Sequence, residues 1–138
     1  MAMNPPSFFT SSLLVALGGG SGAWLRYIVG RTTITLIGPI RASDFPWATL
    51  TANVLGSFAM GLLAGWLARH GSQGGEGWRL LLGVGLLGGF TTFSSFSLEF
   101  VLLLERGAMT QAAAYVAVSL IAGFAGLFAG LALMRVFA

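Results

Sequence analysis

The sequence predicts an all-α integral membrane protein with four transmembrane helices, the third of them broken at mid-membrane. Three observations lead there. Of 138 residues, 56% are hydrophobic and 8% are charged, at a mean hydropathy of +0.86; a soluble domain carries about a quarter charged residues and needs them to face water. The apolar residues fall into four runs, about 8–27, 46–67, 78–104 and 112–134, and ~20 apolar residues suffice to cross a hydrocarbon core ~30 Å thick. At the centre of the third run stands Gly88-Gly89-Phe90-Thr91-Thr92-Phe93-Ser94-Ser95-Phe96. Glycine loosens a helix and Ser and Thr compete for its backbone hydrogen bonds, so this run does not make an unbroken apolar rod.

Composition excludes several classes. The chain is one unit, residues 1–138 forming a single four-helix membrane domain, too short for two ordinary domains. The sequence pI near 10.7 comes from seven arginines scattered at span ends, with no lysine and no basic run, which is not a nucleic-acid footprint. There is no cysteine, hence no disulfide framework and no thiolate site. No activated nucleophile, paired acids or metal-ligand cluster supports an enzyme.

Met1 to Ser7 is a polar leader with Pro5-Pro6, lacking the positive segment of a cleaved signal peptide. In the first span, Gly18-Gly19-Gly20-Ser21-Gly22-Ala23 offers almost no side-chain volume, so another backbone can approach. Arg26, beside Trp24 and Tyr27, closes that span as a snorkelling interfacial charge; at a water-filled mouth it would also attract anions. Arg31 to Phe45 is then the longest connection, with Gly38-Pro39 as breakers. Asp44 is placed to cap the second helix, and Pro46 suits its first turn.

The second span runs between Trp47 and Trp66, an aromatic belt. Thr49, Asn53 and Ser57 are four residues apart and share one helical face. Asn53 is the one carboxamide inside a span and must find a partner there; its two N–H donors suit an anion or a neighbour's carbonyl. Arg69 to Glu76 reads as a flexible polar turn, with His70 at the surface. In the third span, the broken stretch fits two readings: an ion site built from freed carbonyls, or a kinked helix whose small residues admit a neighbour. Glu99 lies beyond it, either paired and part-buried or reaching the interface. The fourth span carries Tyr115, Ser119 and Gly123 as a second stripe, with Ser119 deep enough to face Asn53, and Gly126 and Gly130 as a small-residue pair.

Four helices with 21 glycines in the chain and several polar stripes leave too much uncovered for a monomer, which predicts an oligomer, most simply a two-fold dimer. Arg69, Arg79 and Arg135 fall on one side, and Arg26, Arg31, Arg41 and Arg106 on the other. Adding the N-terminal amine to the first group equalises the two sides, so the positive-inside rule selects no orientation. A chain without bias can insert both ways and pair antiparallel.

These residues resemble the Fluc family of fluoride channels, also called CrcB proteins. Four pieces carry the resemblance, in family order and in all four spans: Gly19 to Tyr27, Thr49 to Gly56, Gly88 to Phe96, and Tyr115 with Ser119. The resemblance implies an antiparallel, dual-topology homodimer in the cell inner (plasma) membrane, with the lipid bilayer as its surroundings. Two separate pores would pass fluoride passively down its gradient. A structural sodium ion would sit at the break on backbone carbonyls of both subunits, which map here to Gly88 and Thr91. Phe93 and Phe96 match the pore phenylalanines and Asn53 the pore asparagine; Tyr115 and Ser119 match polar positions beside the pore, with Thr49 and Ser95 counted among them. Glu99 matches a family position, Arg26 falls at the vestibule, and Gly123 stands where some relatives have serine.

The competing reading is a small dual-topology proton-coupled transporter of the multidrug type. It needs a membrane-embedded carboxylate, for which Glu99 is the one candidate, and no aromatic drug cage accompanies it.

Overall fold

The computed structural model describes residues 6–70 and 75–136, and these are helical almost throughout. Helix α1 is Phe8–Ile37, α2 is the short Pro39–Asp44, and α3 is Trp47–His70. The third crossing is assembled from α4 (Gly75–Trp78), a π-helical stretch Arg79–Leu87, α5 (Gly88–Phe90) and α6 (Phe93–Glu105). Helix α7 is Met109–Val136. Among the described residues, four helical crossings are long and apolar enough to span a membrane: Phe8–Ile37, Trp47–His70, Gly75–Glu105 and Met109–Val136. The protein is a multi-pass membrane protein.

The first crossing corrects the sequence reading. Residues 31–37, expected in a connection, continue α1 to Ile37. The run is rich in β-branched residues, which are indifferent helix formers. Two of its threonines return their hydroxyls to the helix, Thr33 to the Val29 carbonyl at 2.8 Å and Thr35 to the Arg31 carbonyl at 3.0 Å. Arg26 therefore lies inside α1 and does not close it. The helix stops at Gly38, whose φ of +82° few other residues accept. Asp44 does not cap α3 either: it ends α2, and the Pro46 carbonyl takes the first turn's bond from Leu50 N–H at 3.1 Å. Of the expected polar turn, Arg69 and His70 are the last residues of α3, Gly75 and Glu76 open α4, and residues 71–74 lie outside the described residues, as do Met1 to Pro5 of the leader.

Two backbone contacts hold the bundle. Helix α1 lies against the first half of the third crossing, where a Cβ on Gly22 would meet the Leu86 carbonyl and one on Gly89 the Gly19 carbonyl. Helix α3 lies against α7, where a Cβ on Gly61 would meet the Leu127 carbonyl and one on Gly130 the Phe58 carbonyl. Small residues thus do here what the sequence asked of them, bringing backbones together where lipid gives no hydrophobic drive for association. At one end, Leu50, Leu103, Ala112 and Tyr115 form a buried cluster joining α3, α6 and α7. The turn out of α6 shapes that end. Gly107, at φ +73°, donates to the Leu104 carbonyl and Ala108 N–H to the Leu103 carbonyl, each at 2.9 Å, a Schellman arrangement that turns the chain sharply into α7.

Candidate functional site

The break falls at Thr91 and Thr92, near the middle of the third crossing. Thr91 (φ −82°, ψ 157°) and Thr92 (φ −153°, ψ 122°) are extended, the conformation β-branched residues favour. Thr92 then caps α6, its hydroxyl accepting from Ser95 N–H at 3.2 Å. Ser94 and Ser95 hydroxyls both lie 3.2 Å from that same hydroxyl. Upstream, Thr91 donates both its N–H and its hydroxyl to the Leu87 carbonyl, at 2.9 Å each.

Asn53 holds the break open. Its Oδ1 accepts from Thr92 N–H at 2.8 Å, and its Nδ2 donates to the Thr92 carbonyl at 3.1 Å. Oδ1 therefore stands in for the helical acceptor that Thr92 N–H has lost, and Nδ2 adds a second bond to the carbonyl that opens α6. The sequence left Asn53 to an anion or a neighbour's carbonyl; the structure shows the carbonyl, that of Thr92, and leaves one Nδ2 N–H for anything else. Gly56, one turn along α3, makes room for this, because a Cβ there would meet the Thr91 methyl group.

The diversion has a second effect. In a continuous helix the Gly88 carbonyl would accept from Thr92 N–H and the Thr91 carbonyl from Ser95 N–H. Those donors go instead to Asn53 and to the Thr92 hydroxyl. The two released carbonyls belong to the pair the resemblance assigns to sodium. Main-chain oxygens suit a hard cation, and among the described residues no group of His, Cys, Asp or Glu offers a side-chain metal site.

Beside the break lies a cleft of about 340 Å³, lined by Asn53 and Ser57 from α3, Thr91, Thr92, Phe93 and Phe96 from the break, and Ser119 from α7. Ser119 Oγ is buried there and has no hydrogen-bond partner among the described residues. An unpartnered buried hydroxyl is costly and marks a place where something else is meant to accept its proton. The Phe93 and Phe96 rings lie 5.8 Å apart at 33°, and Phe93 is 80% exposed in the single chain. Of the predicted residues, Asn53, Phe93, Phe96 and Ser119 meet at this cleft, whereas Ser95 and Arg26 do not line it.

Thr49 and Tyr115 belong to an adjoining group. Glu99 accepts from the Thr49 hydroxyl at Oε1 and from the Tyr115 hydroxyl at Oε2, both at 2.7 Å. Glu99 is thus paired and half-buried, which decides between the two placements open to it. Tyr115 is fully buried, and its ring packs on Phe96 at a centroid distance of 5.0 Å. One ring contact therefore joins the hydroxyl–carboxylate group to the cleft. Thr92 and Glu99 carry more of the site than their sequence signals did; the Thr-x-x-Ser cap was the available clue to Thr92, and Glu99's register on α6 the clue to its pairing.

The family model described as "CrcB-like protein, Camphor Resistance (CrcB)" matches residues 13–131. The chain belongs to the CrcB family. Among curated CrcB relatives, one from Novosphingobium aromaticivorans is 56% identical over 126 residues, 91% of this chain and 97% of its own length. Another, from Rhodospirillum centenum, is 56% identical over 123 residues, covering 89% and 94%. A third, from Erythrobacter litoralis, is 49% identical over all 138 residues and the full length of both chains. All three bear the name "Fluoride-specific ion channel FluC". The match includes every residue of the cleft and of the Glu99 group.

Proposed function

We propose that this protein is a fluoride-selective channel that exports fluoride passively across the cell's inner membrane, and is not an enzyme. The observation that carries the reading is the cleft at the break, where the unpartnered Ser119 hydroxyl, a remaining Asn53 N–H and two phenylalanine rings converge on one space. Fluoride is small and strongly hydrated, so a path must replace part of its water with donors. Asn53, Ser57 and Ser119 are such donors. Ring edges carry partial positive charge and can flank an anion without trapping it, and several weak sites let the ion leave as readily as it enters. The near full-length relatives named as fluoride-specific channels support the same conclusion.

An antiparallel homodimer with two pores completes the proposal. Gly88 is exposed in the single chain and its carbonyl has lost its helical partner, as has that of Thr91. Released carbonyls at bilayer depth do not face lipid; protein, water or an ion must cover them. A second copy, with a structural sodium ion on the Gly88 and Thr91 carbonyls, would do so. The ion's chemistry there is to offset carbonyl dipoles and tie the two breaks together. A C-terminal reporter is expected on both sides of the membrane, and two lysines added beside Arg69 should drive it to one side. A reporter found on a single side with unmodified protein would end the antiparallel arrangement.

Fluoride efflux from liposomes tests the channel itself. Wild-type protein should pass fluoride without a proton gradient, and Phe96→Ile should cut that flux severely while the dimer still runs intact on size exclusion. Isoleucine is apolar but has no positive ring edge. Phe96→Met is the companion variant, close in bulk and flexible enough to fill the gap. Flux at the wild-type level in both would place the pore elsewhere. Proton-coupled transport is disfavoured, because both Glu99 oxygens already accept protein hydrogen bonds.

A further inference from the structure

A second cleft, of about 290 Å³, opens beyond Glu99. It is lined by Ala42 and Ser43 from α2, by Pro46 just before α3, and by Glu99, Leu102 and Arg106 from α6 and its cap. Positions 99, 102 and 106 recur at helical spacing and share one face of α6 and its cap. Arg106 stands at the C-terminal cap of α6, where a cation is favoured by the helix dipole. Its guanidinium is fixed by two carbonyls: Nε donates to Leu102 at 3.3 Å and Nη1 to Ser43 at 3.0 Å. The second bond reaches 63 residues back along the chain, across the cleft.

Two features bear on what this arginine can do. The guanidinium has five N–H donors, so the two bonds it makes leave others free to serve a ligand in the cleft. Among the described residues no carboxylate pairs with it, the one ion pair being Arg79 with Glu76 at the other end of the crossing. A fixed positive charge, in no direct ion pair, therefore stands in the same cleft as the Glu99 carboxylate. That carboxylate connects, through Tyr115 and its ring contact with Phe96, to the cleft at the break. A carboxylate alone would repel an anion arriving from water; a cation in the same cleft offsets that repulsion and favours the anion's approach on its own side.

Resting on the channel reading above, we propose that this second cleft is the water-side mouth of the anion path and that Arg106 is the positioning residue that concentrates small anions there. Arg106 is not placed in contact with the ion at the narrow part of the path. Its effect is on entry, and so it depends on ionic strength.

The chain has no cysteine, so Leu102→Cys, at a position 43% exposed on this cleft, gives a single reporter. Its rates with an anionic sulfonatoethyl and a cationic trimethylammonioethyl methanethiosulfonate measure the local potential. At ~10 mM salt, where the Debye length is ~30 Å, adding Arg106→Gln should lower the anion-to-cation rate ratio severalfold, while Arg106→Lys should keep it. An unchanged ratio with Arg106→Gln overturns the proposal. Fluoride efflux gives the second arm. Arg106→Gln should reduce flux about three- to tenfold at ~10 mM salt, with the gap closing in ~1 M potassium isethionate, where the Debye length is ~3 Å. Arg106→Lys should restore it. A loss that ignores salt, or that lysine does not repair, makes Arg106 a structural latch between Ser43 and α6 and overturns the proposal as well. No flux from the wild-type chain ends the channel reading, and the labelling ratio still decides whether this cleft gathers anions.

Discussion

Asn53→Asp is expected to cut fluoride efflux by on the order of 10- to 100-fold and to loosen the break in the third crossing. The wild-type carboxamide both accepts from Thr92 N–H and donates to the Thr92 carbonyl. A carboxylate keeps the first bond and turns the second into two acceptors facing each other. Leaving a buried acceptor unmatched costs about 1–3 kcal/mol. The new negative charge also lines the cleft. Two unit charges ~4 Å apart repel by about 4 kcal/mol at an effective dielectric of 20, more than two decades in rate if expressed in full. Asn53→Ala separates the two effects: it removes the clamp and adds no charge, so it should destabilise comparably and lose less flux. Efflux and thermal unfolding of both variants check this. Wild-type flux with Asn53→Asp would show that α3 does not border the anion path.

The four crossings, the position of the break and the glycine contacts were legible in the sequence because each rests on a local pattern. Hydrophobic run length marks a crossing, and a Gly-Gly pair followed by Thr-Thr marks a weak point. Gly18, Gly22 and Gly130 announce close approach without saying to which helix. What the sequence withheld was non-local. Residues 31–37 read as part of a connection that carries Gly38-Pro39 as breakers; nothing local shows that Thr33 and Thr35 satisfy their hydroxyls on the preceding turn. Asn53 clearly needed a partner, and that partner lies 39 residues away. Glu99 could not be placed until Thr49, 50 residues before it, and Tyr115, 16 residues after it, were seen to converge on it. The π-helical turn at Arg79–Leu87 likewise has no strong sequence mark beyond Gly83 and Gly85, which leave the widened turn free of Cβ atoms. Within the candidate site, the identities of Phe93, Phe96 and Ser119 were readable, but the division into a cleft at the break and a separate Glu99 group was not.

Gly130→Val is expected to be the most damaging single change to the fold. A Cβ at this position would meet the Phe58 carbonyl and would stand 2.8 Å from Leu62 N and 3.1 Å from Gly61 C, all of them backbone atoms of α3. No rotamer change relieves a backbone contact, so α3 and α7 must separate along their length. Overpacking a tight site costs about 1–3 kcal/mol even where side chains can adjust. In a bilayer the loss is not recovered by hydrophobic burial, since lipid is as apolar as the interface it would replace. Separation also withdraws Ser119 on α7 from Asn53 and Ser57 on α3, so flux should fall together with stability. Gly20→Val is the matched comparison, because nothing in the chain lies within 4 Å of a Cβ there. Apparent unfolding temperature and efflux should both drop for Gly130→Val, while Gly20→Val should leave the subunit's own unfolding near wild type. If Gly130→Val unfolds like the wild type, α3 and α7 do not meet through Gly130, and the cleft between them must be rebuilt on another contact.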